Sequence, residues 1–165
     1  MTSSGNAGPI RPASYNEHCA TFPEVEGASA LIGLYGAVPS FHDSEITDLN
    51  LRANGGSTLR LRNPFPTIFD SGFVFVTFEI AKLVDVVLEG FNHGQNVLGS
   101  LHVRPATSYP DRMGLHAPLE AGDLELELES IVGLGGRLVC RGVKLTWTMD
   151  RRARAAPRPG TLLGQ

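Results

Sequence analysis

The sequence predicts an α+β fold, a single domain in which a mostly antiparallel β-sheet of six or seven strands carries a short N-terminal helix packed on one face. Three observations support this. The 165 residues include 19 glycines and 11 prolines, a density of turn formers expected of sheet-rich chains and not of long helical bundles. Most segments between those residues alternate apolar and polar side chains with the period of a strand. One early segment, Ala28 to Tyr35, places Leu31, Leu34 and Tyr35 at helical spacing instead.

The N-terminal residues 1–14 are rich in Gly, Ser, Pro and Ala and bury too little to offset their ordering entropy, so disorder is expected there. Residues 15–150 form the domain. The tail 151–165 is basic and again expected to be disordered. A chain of this length with 42% hydrophobic residues can bury one core without staples.

Within the domain, Glu24 and Glu26 lie near the start of the Ala28–Tyr35 helix and Gly36 and Pro39 punctuate its end. Strands are expected at about 45 to 53 and 57 to 63, joined by Asn54-Gly55-Gly56, whose residues tolerate positive φ. Pro64-Phe65-Pro66 is expected to leave the ladder, because proline has no N–H to donate. Phe73 to Ile80 and Leu83 to Glu89 then read as two separate strands at the sheet centre, rich in Val, Phe and Leu. Val97 to Arg104 is the next strand, ended by Pro105.

Residues 105–122 read as a long loop or flap, a length uncommon unless functional or mobile. Leu124, Leu126 and Leu128 alternate with Glu125, Glu127 and Glu129, and Gly133, Gly135 and Gly136 turn the chain into a strand from Arg137 to Met149. The result is a final hairpin with one wet, acidic face. Val143, Leu145, Trp147 and Met149 share its inner side, with Trp147 as a core anchor.

The formal net charge of −3 divides into +4 on the last fifteen residues, from Arg151, Arg152, Arg154 and Arg158, and −7 on residues 1–150. An acidic body repels nucleic acid and favours basic partners. Cys19 and Cys140 are too few for a disulfide scaffold and lack zinc spacing, so reduced thiols are expected. No charged start precedes an apolar run, and no stretch approaches a membrane span. A cytoplasmic location follows as an expectation.

Pro39-Ser40-Phe41-His42-Asp43-Ser44-Glu45-Ile46 places ionisable groups around an apolar ring where helix gives way to strand. A structural role has Ser40 or Asp43 fastening the junction through backbone N–H groups, with Phe41 sealing the core. A binding role puts His42, Asp43, Glu45 and Asp48 on an exposed edge facing a partner, where carboxylates grip Arg or Lys. His42, Asp43 and Glu45, with His93 and His102, could also supply a metal site or an acid–base pair. Against that, His42 and Asp43 diverge if they lie in a strand, and no H-E-x-x-H or cysteine pattern occurs. Neither metal nor cofactor is therefore expected. In Phe91-Asn92-His93-Gly94-Gln95-Asn96, the amides are expected to stabilise a turn.

Phe41-His42-Asp43 with Glu45, the alternating Val74 to Leu88 region, and Phe91-Asn92 with Gln95-Asn96-Val97 together resemble the immunity protein 50 family of bacterial polymorphic toxin systems. The resemblance runs from about Leu31 to Val103. It implies a cytoplasmic α+β antidote without enzymatic activity, encoded near a cognate protein toxin, and it brings no catalytic residues; the acidic body adds the expectation that the toxin's surface is basic. Phe41, Phe91, Asn92, Gln95, Asn96 and Trp147 are expected to be structural. Neither membrane nor nucleic acid is expected as partner, and a homodimer remains open. The reading from another class is a small metal-dependent hydrolase or ligand-binding enzyme built on His42, Asp43, Glu45 and His93. Self-association through the hydrophobic central strands is a third.

Overall fold

The computed structural model describes residues 15–66, 71–90, 94–107 and 118–150. The segments 1–14 and 151–165, and residues 108–117 of the expected flap, lie outside the described residues. Among those described, α1 (Tyr15–Thr21), a 3-10 turn (Phe22–Glu24) and α2 (Ala28–Tyr35) precede six strands: β1 (Glu45–Asn50), β2 (Ser57–Pro66), β3 (Ser71–Glu89), β4 (Val97–Pro105), β5 (Leu124–Val132) and β6 (Gly135–Asp150). All strand pairs are antiparallel. The order β1-β2-β3-β6-β5-β4 returns to β1, so the sheet closes into a barrel. No helix of the described residues is long and apolar enough to cross a membrane.

Side-chain alternation sets which face of each strand is inside. Leu59 and Leu61 of β2 are buried while Arg60 and Arg62 point out, and Val74, Val76, Phe78 and Ile80 of β3 line the interior. Leu101 and Val103 of β4, Leu126 and Leu128 of β5 and Leu138 and Leu145 of β6 complete the core, which Phe22, Val25, Ala28 and Leu31 from the helical segment join. α2 spans the residues expected of it and stops at Gly36, which takes φ 75° and donates its N–H to Ile32 O.

Several expectations are corrected. α1 and the 3-10 turn carried no clear periodic signal, being too short to show one. Pro64 and Pro66 stay in β2, paired with Phe73 and Ser71. β1 accompanies β2 only as far as Arg62, so beyond that point, among the described residues, one side of β2 has no ladder for a proline to break. The two expected central strands are one strand of 19 residues. Ala81-Lys82 holds no turn residue, β6 pairs along nearly its whole length, and the irregularity is absorbed as a bulge between Leu83 and Asp85. Trp147 is half-buried and packs against the core instead of anchoring its centre.

The expected wet acidic face is dry at its N-terminal end. Glu125 is only 4% exposed and accepts from Arg104 Nε at 3.0 Å and Arg137 Nη1 at 3.2 Å. Arg104 reaches it from the adjoining register position of β4, and Arg137 from β6. Asp123 is likewise gripped by Arg141 at 2.7 and 2.8 Å, and that guanidinium holds the carboxyl below the usual range despite its burial.

Barrel closure is short and falls next to the turn at residues 39–45. Glu45 registers with Val97. Ile46 N–H donates to Asn96 O at 2.8 Å, Leu98 N–H to Ser44 O at 2.8 Å, and Asp43 N–H to Leu98 O at 3.0 Å. β1 therefore has no free edge at Glu45, where an exposed edge was expected.

Candidate functional site

The geometry of residues 39–45 follows from two demands on a short segment. The Phe41 ring must enter the core, where it lies 5.8 Å from Phe22 and 5.8 Å from Phe78, centroid to centroid. The backbone on either side must meanwhile pair with β4. Both are met by placing Phe41 at φ 58° and Asp43 at φ 61°, the only non-glycine residues with positive φ among those described. Left-handed backbone is costly for a side chain such as phenylalanine and better tolerated by aspartate. Ser40 supports the turn as expected, its Oγ accepting the His42 N–H at 3.3 Å, and Ser44 N–H donates to Phe41 O at 3.1 Å.

His42 and Asp43 do not diverge. They lie in a turn and not in a strand, so their side chains meet, Nδ1 to Oδ2, at 3.0 Å, with 61% and 63% of each exposed. They border an open cleft of about 310 Å³ whose other walls include Tyr35, Ser40, Asn63 and Pro64. Beneath it runs a buried polar chain that no local pattern announces: Ser44 Oγ donates to Asn63 Oδ1 at 2.6 Å, and Asn63 Nδ2 to Tyr35 Oη at 2.7 Å. Burial pushes the Tyr35 phenol above its ordinary pKa, so it stays protonated. Asn63, lying just before Pro64, carried no sequence signal of this role, since its partners are remote along the chain.

Glu45 turns from His42 and Asp43 to Arg62, at 2.6 Å, and the Arg62 guanidinium lies over the Phe73 ring at 4.6 Å. Asp48 registers with Arg60, which lies over Phe75 at 4.6 Å; Asp48 itself is exposed. The four expected contact residues therefore share one outer surface but divide into a His–Asp pair and a region interleaved with arginines.

The Asn96 side chain, expected to stabilise its own turn, fastens the turn between β5 and β6. Its Oδ1 accepts the Leu134 N–H at 2.9 Å, and a Cβ on Gly133 would sit 2.2 Å from Gln95 O, so the two loops dock backbone to backbone. Gln95 is exposed. Phe91, Asn92 and His93 lie outside the described residues.

His102 sits with Ser100 and Glu129, the residue types of a nucleophile, base and acid, but in the wrong order. Ser100 Oγ donates to Glu129 Oε2 and so meets His102 Nε2, at 2.9 Å, as acceptor. The serine proton is committed to the carboxylate, while the buried Nδ1 of His102 has no hydrogen-bond partner among the described residues. No charge relay results. Among the described residues no three His, Cys, Asp or Glu side chains group so as to hold a metal ion. Cys140 is buried, which pushes its thiol up to about 12 and makes it a poor nucleophile.

Comparison of the chain with protein-family models, with curated proteins and with solved structures finds no match. What the geometry offers is an exposed imidazole–carboxylate pair on a hydrogen-bonded turn, able to donate to and accept from a partner surface.

Proposed function

We propose that this chain is an immunity protein, which neutralises a cognate bacterial toxin by stoichiometric protein–protein binding, with the His42-Asp43 turn at the contact. The observation that carries the reading is the asymmetry of the strained turn. The left-handed Phe41 is explained by its ring, which the core needs. At Asp43 the same conformation, set as its N–H pairs with Leu98 O, leaves the side chain in solvent beside His42, a polar pair displayed outward that core packing does not require. The acidic body and the resemblance to immunity proteins support a basic protein toxin as partner.

The test is co-expression with the toxin domain encoded by the adjacent gene, and binding of the purified pair. Wild type is expected to rescue growth and to form a one-to-one complex whose on-rate falls with added salt. Asp43→Gly keeps the left-handed backbone accessible and removes only the carboxylate; binding should weaken at least about tenfold, as for a contact near an interface centre. A folded Asp43→Gly protein that binds as well as wild type removes the turn from the interface. Failure of the wild type to bind or protect removes the immunity role.

A further inference from the structure

Two large hydrophobic side chains stand out as exposed among the described residues: Ile131 at 54% and Val132 at 41%. They lie next to each other at the end of β5, and the register shows what surrounds them. Val132 pairs with Val97, and Val97 pairs with Glu45. Residues paired across antiparallel strands project to the same side, so Glu45, Val97 and Val132 form one row across β1, β4 and β5. Ile131 lies over Gly99, where a Cβ would come within 3.3 Å of its Cγ1. The adjoining Leu98 receives the Asp43 N–H. The exposed aliphatic pair is thus continuous, through a strip of β4 with little side-chain relief, with the turn that carries His42 and Asp43.

Arg62 neutralises Glu45 at one end of this strip, while the other bordering carboxylates lack a cationic partner among the described residues. Among the described residues, the side-chain hydrogen bonds and ion pairs of Asp43 and Glu129 are to histidine or serine and Glu89 makes none, so none of the three is paired with Arg or Lys. Arg104 and Arg137 are occupied by Glu125, Glu127 and Asp85. An aliphatic centre bordered by unneutralised carboxylates is the complement of an apolar anchor flanked by lysine or arginine.

We propose that the strip running from Asp43 and Glu45 across Val97 to Val132, Ile131 and Glu129 is the docking surface for a basic segment of a protein partner. The segment's aliphatic or aromatic side chain rests on Ile131 and Val132, and its cationic neighbours meet Asp43 and Glu129. The inference rests on the reading of the chain as a protein-binding antidote and extends its contact surface from the turn to the far end of β5.

Two measurements test it. In the first, backbone-amide NMR shifts of the full chain are followed while a short peptide alternating lysine and leucine is added, with a glutamate–leucine peptide as control. Saturable shifts at Gly99, Ile131 and Val132 with the lysine peptide alone are expected. Shifts confined to the Arg60 and Phe75 face, or none, overturn the proposal. In the second, an Ile131→Ser/Val132→Ser variant and a Glu129→Gln variant, both checked for wild-type melting, are bound to the adjacent-gene toxin domain. Each should bind at least about tenfold more weakly, while Thr146→Arg on the exposed side of β6 binds normally. If wild type binds the toxin and the folded variants bind equally well, this surface is wrong and the immunity reading stands. If the peptide maps to the strip but the toxin does not bind wild type, the surface stands and the immunity reading fails.

Discussion

His18 of α1 accepts the backbone N–H of Val103 on β4 through Nδ1, at 2.9 Å and across 85 residues of chain. Its Nε2 lies 3.2 Å from Pro39 O. Because Nδ1 accepts, the proton must reside on Nε2, which donates to the Pro39 carbonyl. One buried imidazole thereby satisfies a strand N–H that β1 does not reach and ties the helix to the segment leading into the Phe41 turn. The ring is 2% exposed and packs 5.3 Å from Phe22 and edge-on to His102 at 5.8 Å.

This arrangement sets a pH dependence. Burial, joined by the neighbouring His102 and only partly offset by the Pro39 carbonyl, holds the His18 pKa below its ordinary value. The unfolded chain therefore takes up the proton first. Stability should be full above about pH 6.5 and fall as pH drops toward the depressed folded value. Urea unfolding at several pH values checks the sign, and His18→Gln should flatten the slope. His18→Ala, which strands the Val103 N–H, should cost about 1–3 kcal/mol.

Gly27 and Gly55 both have positive φ, 86° and 101°, yet they should respond differently to alanine. A Cβ on Gly27 would stand 2.0 Å from Leu145 O, whereas Gly55 has open space. Gly27 lies against the half of β6 that β5 does not cover, where Leu145 N–H donates to Glu26 O at 2.8 Å. Thermal melts should show Gly55→Ala costing about 1 kcal/mol, and Gly27→Ala at least twice as much.

Glu125 and Glu45 provide a second contrast. Removing the Glu125 carboxylate with alanine leaves Arg104 and Arg137 facing each other without it and should cost about 3 kcal/mol. The Glu45 to Arg62 pair is partly exposed, so Glu45→Ala should cost no more than about 1 kcal/mol. Denaturation with and without added salt separates the two, since the exposed pair alone should be screened.

At the turn, Phe41→Ala should cost about 3–5 kcal/mol through loss of core contacts. Asp43→Val, forcing a β-branched side chain into left-handed backbone, should cost about 1–3 kcal/mol. Asp43→Gly should melt close to wild type. Equal destabilisation by valine and glycine would mean that the carboxylate, and not the backbone, carries the stability.

The strands were legible where alternation was strict. Leu59 and Leu61 against Arg60 and Arg62, and the leucines of β5 against its glutamates, declare one buried and one outer face, because a strand's side-chain period leaves no other reading. The Ala28–Tyr35 helix with its stop at Gly36 and the turn at Asn54-Gly55-Gly56 were legible for similar local reasons, whereas the bond from Leu134 N–H to Asn96 across 38 residues was not. At the candidate site, Phe41 and the polar residues around it stood out, but their geometry did not: Asp43's left-handed φ, which brings it against His42, is imposed by pairing with Leu98.

Composition, alternation and turn chemistry thus determined that this protein is a sheet-rich domain with an acidic body and which side chains belong inside. Only the tertiary structure decided that the sheet closes, that β3 is one strand, that His18 completes the edge of β4, and that Glu45, Val97 and Val132 stand in one row. The physical reason is that these features turn on where backbone N–H and C=O groups find partners, groups that every residue carries alike save proline's missing N–H, with the His18 ring serving where no strand reaches. Their pairing across distant segments is settled by the register of the whole barrel, which local patterns do not encode.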